Sequence, residues 1–219
     1  MITNQTHKTI RTLSIAVGML MLLLPCACSR RSYSSVGHST AQSQTMWNRV
    51  GTELASLAQK HVKGDGTVLL IRSTTNAIIS VEQDAIETSF KKSLKSLASK
   101  IDVMTIPDAP RAPEQISAMM PAQPMPLNSA WLSNAVREHK AAVLVVSLVG
   151  EPDAQPAGGV WPPTICFAPA ANPSVIKQLI SSSVVAGAIV PRHANPKTGE
   201  KDWFEIRYTV ITKDNIASW

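Results

Sequence analysis

The feature that most constrains this chain is a set of apolar, β-prone runs of strand length that show no polar alternation. Thr67-Val68-Leu69-Leu70-Ile71 is one, and Ala141 to Val149 and Val184 to Val190 are others. A strand with one wet face alternates apolar and polar residues, whereas a run that is apolar at every position is covered on both sides. Strands of that kind form the middle layer of a sandwich, with helices packed above and below a mainly parallel sheet.

The segments between these runs carry helical spacing. Trp47, Val50, Leu54, Leu57, Ala58 and His61 recur on one face until Lys63-Gly64-Asp65-Gly66 stops them. Ser80 with Gln83 matches a capping box, after which Ile86, Phe90, Leu94, Leu97 and Ile101 trace the buried face of a long helix. Ile101 to Ile106 gives a second strand, closed by Pro107. Asn128 or Ser129 caps a helix bearing Trp131, Leu132, Ala135, Val136 and His139. Thr164 to Ala168 is a further strand, followed by Asn172 as a cap and Pro173 at the first helical position, with Val175, Ile176, Leu179 and Ile180 inward and Ser181-Ser182-Ser183 as a polar stop. Trp203 to Ile211 alternates large residues, with Phe204, Ile206, Tyr208 and Val210 on one side, and predicts an edge strand. The order predicts an α/β fold: a three-layer sandwich with a mainly parallel sheet and an antiparallel C-terminal edge strand, since crossovers of fixed hand leave few other topologies.

Two irregular stretches interrupt this pattern. One runs from Pro107 to Pro126 with Met119, Met120 and Met125 among its prolines; the other surrounds Pro156, Gly158, Gly159, Pro162 and Pro163. The methionines of the first either pack beneath the loop or present an apolar binding surface.

The start of the chain reads as an export signal. Lys8 and Arg11 precede an apolar run from Ile15 to Leu24, the size of a signal-peptide core of about 7–15 residues and short of the roughly 20 that a transmembrane helix needs. Pro25-Cys26-Ala27-Cys28-Ser29 resembles the lipobox of bacterial lipoproteins, with Ala27 directly before Cys28 and Pro25 where that family usually has leucine. The resemblance implies cleavage before Cys28, acylation of that residue and a lipid anchor in a membrane of the cell envelope, the chain facing the periplasm. A cleaved, soluble secreted form and an uncleaved N-terminal anchor are the alternatives. The expected organisation is therefore a signal peptide over 1–28, a flexible tether rich in Ser, Thr, Gln and Gly over 29–44, and a single α/β domain of about 175 residues over 45–219.

Charge and cysteine usage narrow the function classes. The net charge is +6, and Lys8 and Arg11 supply two of those charges, so the exported chain carries about +4, which is no nucleic-acid footprint. Lys91, Lys92, Lys95 and Lys100 follow Glu82, Asp84 and Glu87 along one predicted helix, a solvated and dipole-matched pattern in which Glu87 and Lys91 are spaced to pair. With Cys28 acylated, Cys166 is alone in an apolar setting and reads as a buried small hydrophobe. Scattered histidines suggest no metal, and no dinucleotide loop, phosphate loop or nucleophile elbow implies a cofactor or a reaction.

Ligands of such sheets bind beyond the C-terminal ends of the strands, near the switch in strand order. The polar residues expected there are Arg72, Ser73, Thr74 and Asn76 after the first strand, Asp108 and Arg111 after the second, Glu151 and Asp153 after the third, and Arg192 and His193 after the fifth. Ser73, Asn76, Glu151 and Arg192 head that search area. The alternation, with Val143 to Gly150 entering a loop, resembles one lobe of a sugar-type periplasmic binding protein in architecture; sheet-containing lipoproteins of envelope assembly compare equally well. The expected role is a membrane-tethered module that binds an envelope protein or a small solute. An envelope enzyme using Asp108, Glu151, Asp153 or His193 as acid and base, and a purely structural lipoprotein, remain alternatives.

Overall fold

The computed structural model describes residues 40–62, 66–73, 77–94, 100–106, 127–139, 142–153, 161–192 and 202–219. Its elements are α1 (Thr40–Gln59), β1 (Thr67–Ser73), α2 (Ala77–Leu94), β2 (Lys100–Ile106), α3 (Ser129–Glu138), β3 (Ala142–Ser147), β4 (Thr164–Phe167), α4 (Pro173–Ser181), β5 (Val185–Pro191), α5 (Trp203–Arg207), β6 (Tyr208–Thr212) and a final turn of tighter helix, Ile216–Ser218. The strands form one six-stranded sheet in the order β2-β1-β3-β4-β5-β6. Strands β1 to β5 are parallel, and β6 pairs antiparallel with β5 at the edge. This is the mixed α/β sandwich that the apolar runs predict.

Each central strand feeds two cores by its alternation. Val68 and Leu70 of β1, Leu144 and Val146 of β3, and Ile165 and Phe167 of β4 face the layer of α1 and α2, where Leu54, Ile86 and Phe90 pack. The intervening Leu69, Ile71 and Val145 face α3 through Leu132 and Ala135. Cys166 and Ala168 face α4 through Ile176 and Ile180. Burial on both faces is why these strands lack polar alternation. Fully buried Phe90 contributes roughly 3 kcal/mol by burial alone. Helices α1 and α2 approach closely at Gly51, where a β-carbon would lie 2.3 Å from the Ile86 carbonyl oxygen. Among the described residues no helix is long and apolar enough to cross a membrane.

Three expectations are corrected. The first helix begins at Thr40 rather than after residue 44, because the polar residues ahead of buried Met46 add a largely exposed turn to an amphipathic helix. Helix α2 begins at Ala77, so Ser80 is not its cap and Gln83 is left for another role. Residues 203–207 are a turn of helix, not the start of the edge strand. The Asp202 side chain accepts a hydrogen bond from the Phe204 amide at 2.9 Å and caps that turn, which places Phe204 and Tyr208 four residues apart in mutual ring contact at 6.1 Å. Asn128 and Asn172 cap α3 and α4 as expected, through the amides of Trp131 and Ser174.

Candidate functional site

The strand order switches direction at β1. From there the chain goes outward to β2, then returns to β3 on the other side. The crevice between the C-terminal ends of β1 and β3 is spanned by one buried side chain, Gln83 of α2. Its Oε1 accepts from the Ser73 amide at 2.9 Å, and its Nε2 donates to the Leu148 carbonyl at 3.5 Å. The Leu148 amide in turn donates to the Ile71 carbonyl at 2.8 Å. Backbone groups at buried strand ends need such partners, and an amide side chain offers both a donor and an acceptor.

Beyond Gln83 the chain turns sharply. Gly150 has φ of 106°, a left-handed conformation that glycine takes without steric cost, and the Ser147 hydroxyl donates to its carbonyl at 2.7 Å. Pro152 then bridges Leu127 in parallel. The Asp153 amide donates to the Leu127 carbonyl at 3.1 Å, and its carboxylate Oδ1 accepts from the Ser129 amide at 2.7 Å, at the start of α3. These bonds hold the loop after β3 open over a cavity of about 630 Å³. Ile86, Leu127, Leu148 and Phe167 supply apolar wall, Val175 of α4 closes one side, and Glu82, Gln83, Glu151 and Asp153 are its polar lining. Burial raises the Glu82 carboxyl above the usual glutamate range.

The sequence-predicted residues divide accordingly. Glu151 and Asp153 line the cavity. Ser73 ends β1 beneath it, tied to Gln83 through its amide. Arg192 follows β5, its amide donating to the Arg207 carbonyl at 2.9 Å, and it does not line the cavity. Arg72 points its guanidinium to Asp84 and Glu87, each at 2.7 Å, and serves the packing of α2 on β1. Burial opposes the charge of Arg72, but these two carboxylates outweigh it and raise its affinity for the proton. Cys28, Thr74, Asn76, Asp108, Arg111 and His193, the stretch 107–126 and the tether up to residue 39 lie outside the described residues.

Several residues of the site escape sequence reasoning, Glu82, Gln83 and Phe167 among them. Gln83 passes for half of a capping box, although it stands one turn before Ile86 on the buried stripe of Ile86, Phe90 and Leu94, a polar residue on an apolar face. Phe167 passes for core, with no local signal that its edge meets a cavity. Cys166, fully buried on β4, has its thiol pushed far up by burial and, secondarily, by the field of Glu151, and such a thiol is inert. One unexpected pair lies elsewhere. His139 Nδ1 sits 3.0 Å from Asp102 Oδ2, and the His139 and Lys100 contacts hold the Asp102 carboxyl below its ordinary range.

No protein-family model matches this chain, and no curated protein does. Solved structures do. A LacI-type transcriptional regulator from Bacteroides fragilis superposes with a TM-score of 0.50 at 12% identity, over 79% of this chain and 62% of the other. A fructose-binding periplasmic domain of a hybrid two-component system gives 0.50 at 13% identity, over 78% and 58%. An ABC transporter solute-binding protein from Burkholderia graminis, solved with D-arabinose, gives 0.47 at 16% identity, over 78% and 61%. The likeness is one of fold, and this chain spans about three-fifths of the length of these structures.

Proposed function

We propose that this chain is a membrane-tethered binding module of the bacterial cell envelope, holding a small solute at the C-terminal crest of its sheet. The observation that carries the reading is the cavity of about 630 Å³ beside the β1/β3 switch. Its volume suits a small-molecule site, its walls are mainly apolar with a few polar groups, and its position is the one where open parallel sheets take ligands. The fructose-binding periplasmic domain among the structural neighbours accords with a solute-binding role. The tether rests on the leader, with Cys28 as the acylated residue and the domain facing the periplasm.

Val175 tests the cavity. It is 37% exposed on the first turn of α4 and lines the cavity, so Val175→Trp fills the space without entering the core. Thermal-shift screening of small solutes yields compounds that raise the Tm of the wild type and leave that of the variant unchanged. Equal shifts in both proteins, or no shift across the panel, contradict the reading. For the tether, intact-mass analysis of the membrane-fraction protein gives a chain beginning at Cys28 with the added mass of acyl groups, absent in Cys28→Ala; an unmodified chain removes the lipid anchor.

A further inference from the structure

We infer that the cavity selects a small organic monocation with an apolar body, such as an amine on a hydrocarbon chain or ring, over polyols and over anions of the same shape. This inference rests on the solute-binding reading above and specifies the ligand.

The charge lining the cavity is one-sided. Glu82, Glu151 and Asp153 are its ionisable residues among those described, with no Lys or Arg beside them. Other partly buried acids are satisfied within the fold: Glu87 by Arg72 and Lys91, Glu53 by Arg49, Asp102 by Lys100 and His139, and Asp202 by the Phe204 amide that it caps. Exposed acids such as Glu138, Glu205 and Asp214 have water. Glu82 and Glu151 are half-buried against apolar wall and have no basic partner among the described residues. Burial already works against the charge on Glu82, so a cation entering beside it replaces hydration that the wall has removed.

For a sugar the same lining offers carboxylate acceptors but, among the described residues, no free side-chain donor. A polyol leaves several hydroxyls buried and needs a polar partner for each. Here both ends of the Gln83 amide serve the strand ends, and Asp153 Oδ1 accepts from the Ser129 amide. What remains is apolar area from Ile86, Leu148, Phe167 and Val175, together with the carboxylates of Glu82, Glu151 and Asp153. That suits a hydrocarbon body ending in a positive head, and repels an anion.

The test is calorimetric titration of the full chain at pH 7 with phenylbutylamine, phenylbutanol and phenylbutyrate, which share one apolar body, and with D-fructose as the polyol. The expected order is amine, alcohol, carboxylate, with the amine about tenfold tighter than the carboxylate at low salt and that advantage shrinking as salt rises. In the isosteric double variant Glu82→Gln with Glu151→Gln the preference for the amine over the alcohol falls to about one, whatever the shift in the alcohol itself. Amine and alcohol binding equally to the wild type overturns the inference while the solute-binding reading stands. Fructose binding more tightly than the amine overturns it in favour of a polyol site. No binding by any of the four overturns both.

Discussion

Helix α2 carries two kinds of acid within two turns. Asp84 and Glu87 lie against Arg72 of β1, and Lys91 closes on Glu87 from the next turn, so this group is neutralised on the spot. Glu82, a few residues earlier on the same helix, lines the cavity at the end of the sheet beside no described base. The residues are of one type and the helix is the same; only the position of β1 beneath them differs. Acids that the fold pairs with its own cations hold α2 on the sheet, whereas acids that it leaves unmatched at a cavity are available to a ligand.

Substitutions can break or sharpen that contrast. Arg72→Met has the largest expected effect, because the Glu87 side chain is only 14% exposed and keeps Lys91 alone. Since Asp84 is 60% exposed and well solvated, the expected loss is about 1–2 kcal/mol, seen as a lower urea midpoint with an unchanged slope. Gln83→Leu comes next. The Ser73 amide loses its acceptor and the Leu148 carbonyl its side-chain donor, costing about 1 kcal/mol and loosening the floor of the cavity.

Glu82→Gln is the smallest, within about 0.5 kcal/mol at pH 7 and in the stabilising direction. Its sign shows better in a pH series. Because burial raises the folded-state pKa of Glu82 above 4.5, the folded state holds the proton more firmly, and wild-type stability falls as pH rises from that value through the raised one. The glutamine variant lacks this component of the slope. Should Glu82→Gln cost as much as Arg72→Met, Glu82 would belong with the structural acids and the contrast would fail.

Much of the scaffold was legible because two-sided burial writes itself into local sequence. Strands β1, β3, β4 and β5 announce themselves as uninterrupted apolar runs, and Asn172-Pro173 marks a helix start through a cap and a fixed φ. The segment 203–207 was misread because Phe204, Ile206 and Tyr208 alternate with period two while Phe204 and Tyr208 also stand one helical turn apart; the Asp202 cap decides between them. Ser80 and Gln83 fitted a capping pattern that the earlier helix start overrides. Of the candidate site, Glu151 and Asp153 could be named from their place after an apolar strand. The walls could not, since Leu148 and Phe167 are ordinary core residues whose meeting with Val175 and Ile86 arises only when separate elements converge. Arg192 has the expected position after a strand, but β5 lies two places along the sheet from β3 and its end does not line the cavity.

The most direct measurement is amide chemical-shift mapping of the isotope-labelled chain during titration with phenylbutanol, whose binding does not depend on the charge selectivity. The expected result is saturable shifts at Gly150, Glu151, Ala168 and Ala170, around the cavity, with Thr67, Ala142, Thr164 and Val185 at the opposite strand ends unmoved. Shifts confined to those opposite ends, or no saturable shifts around the cavity, would contradict a binding site at the crest of the sheet.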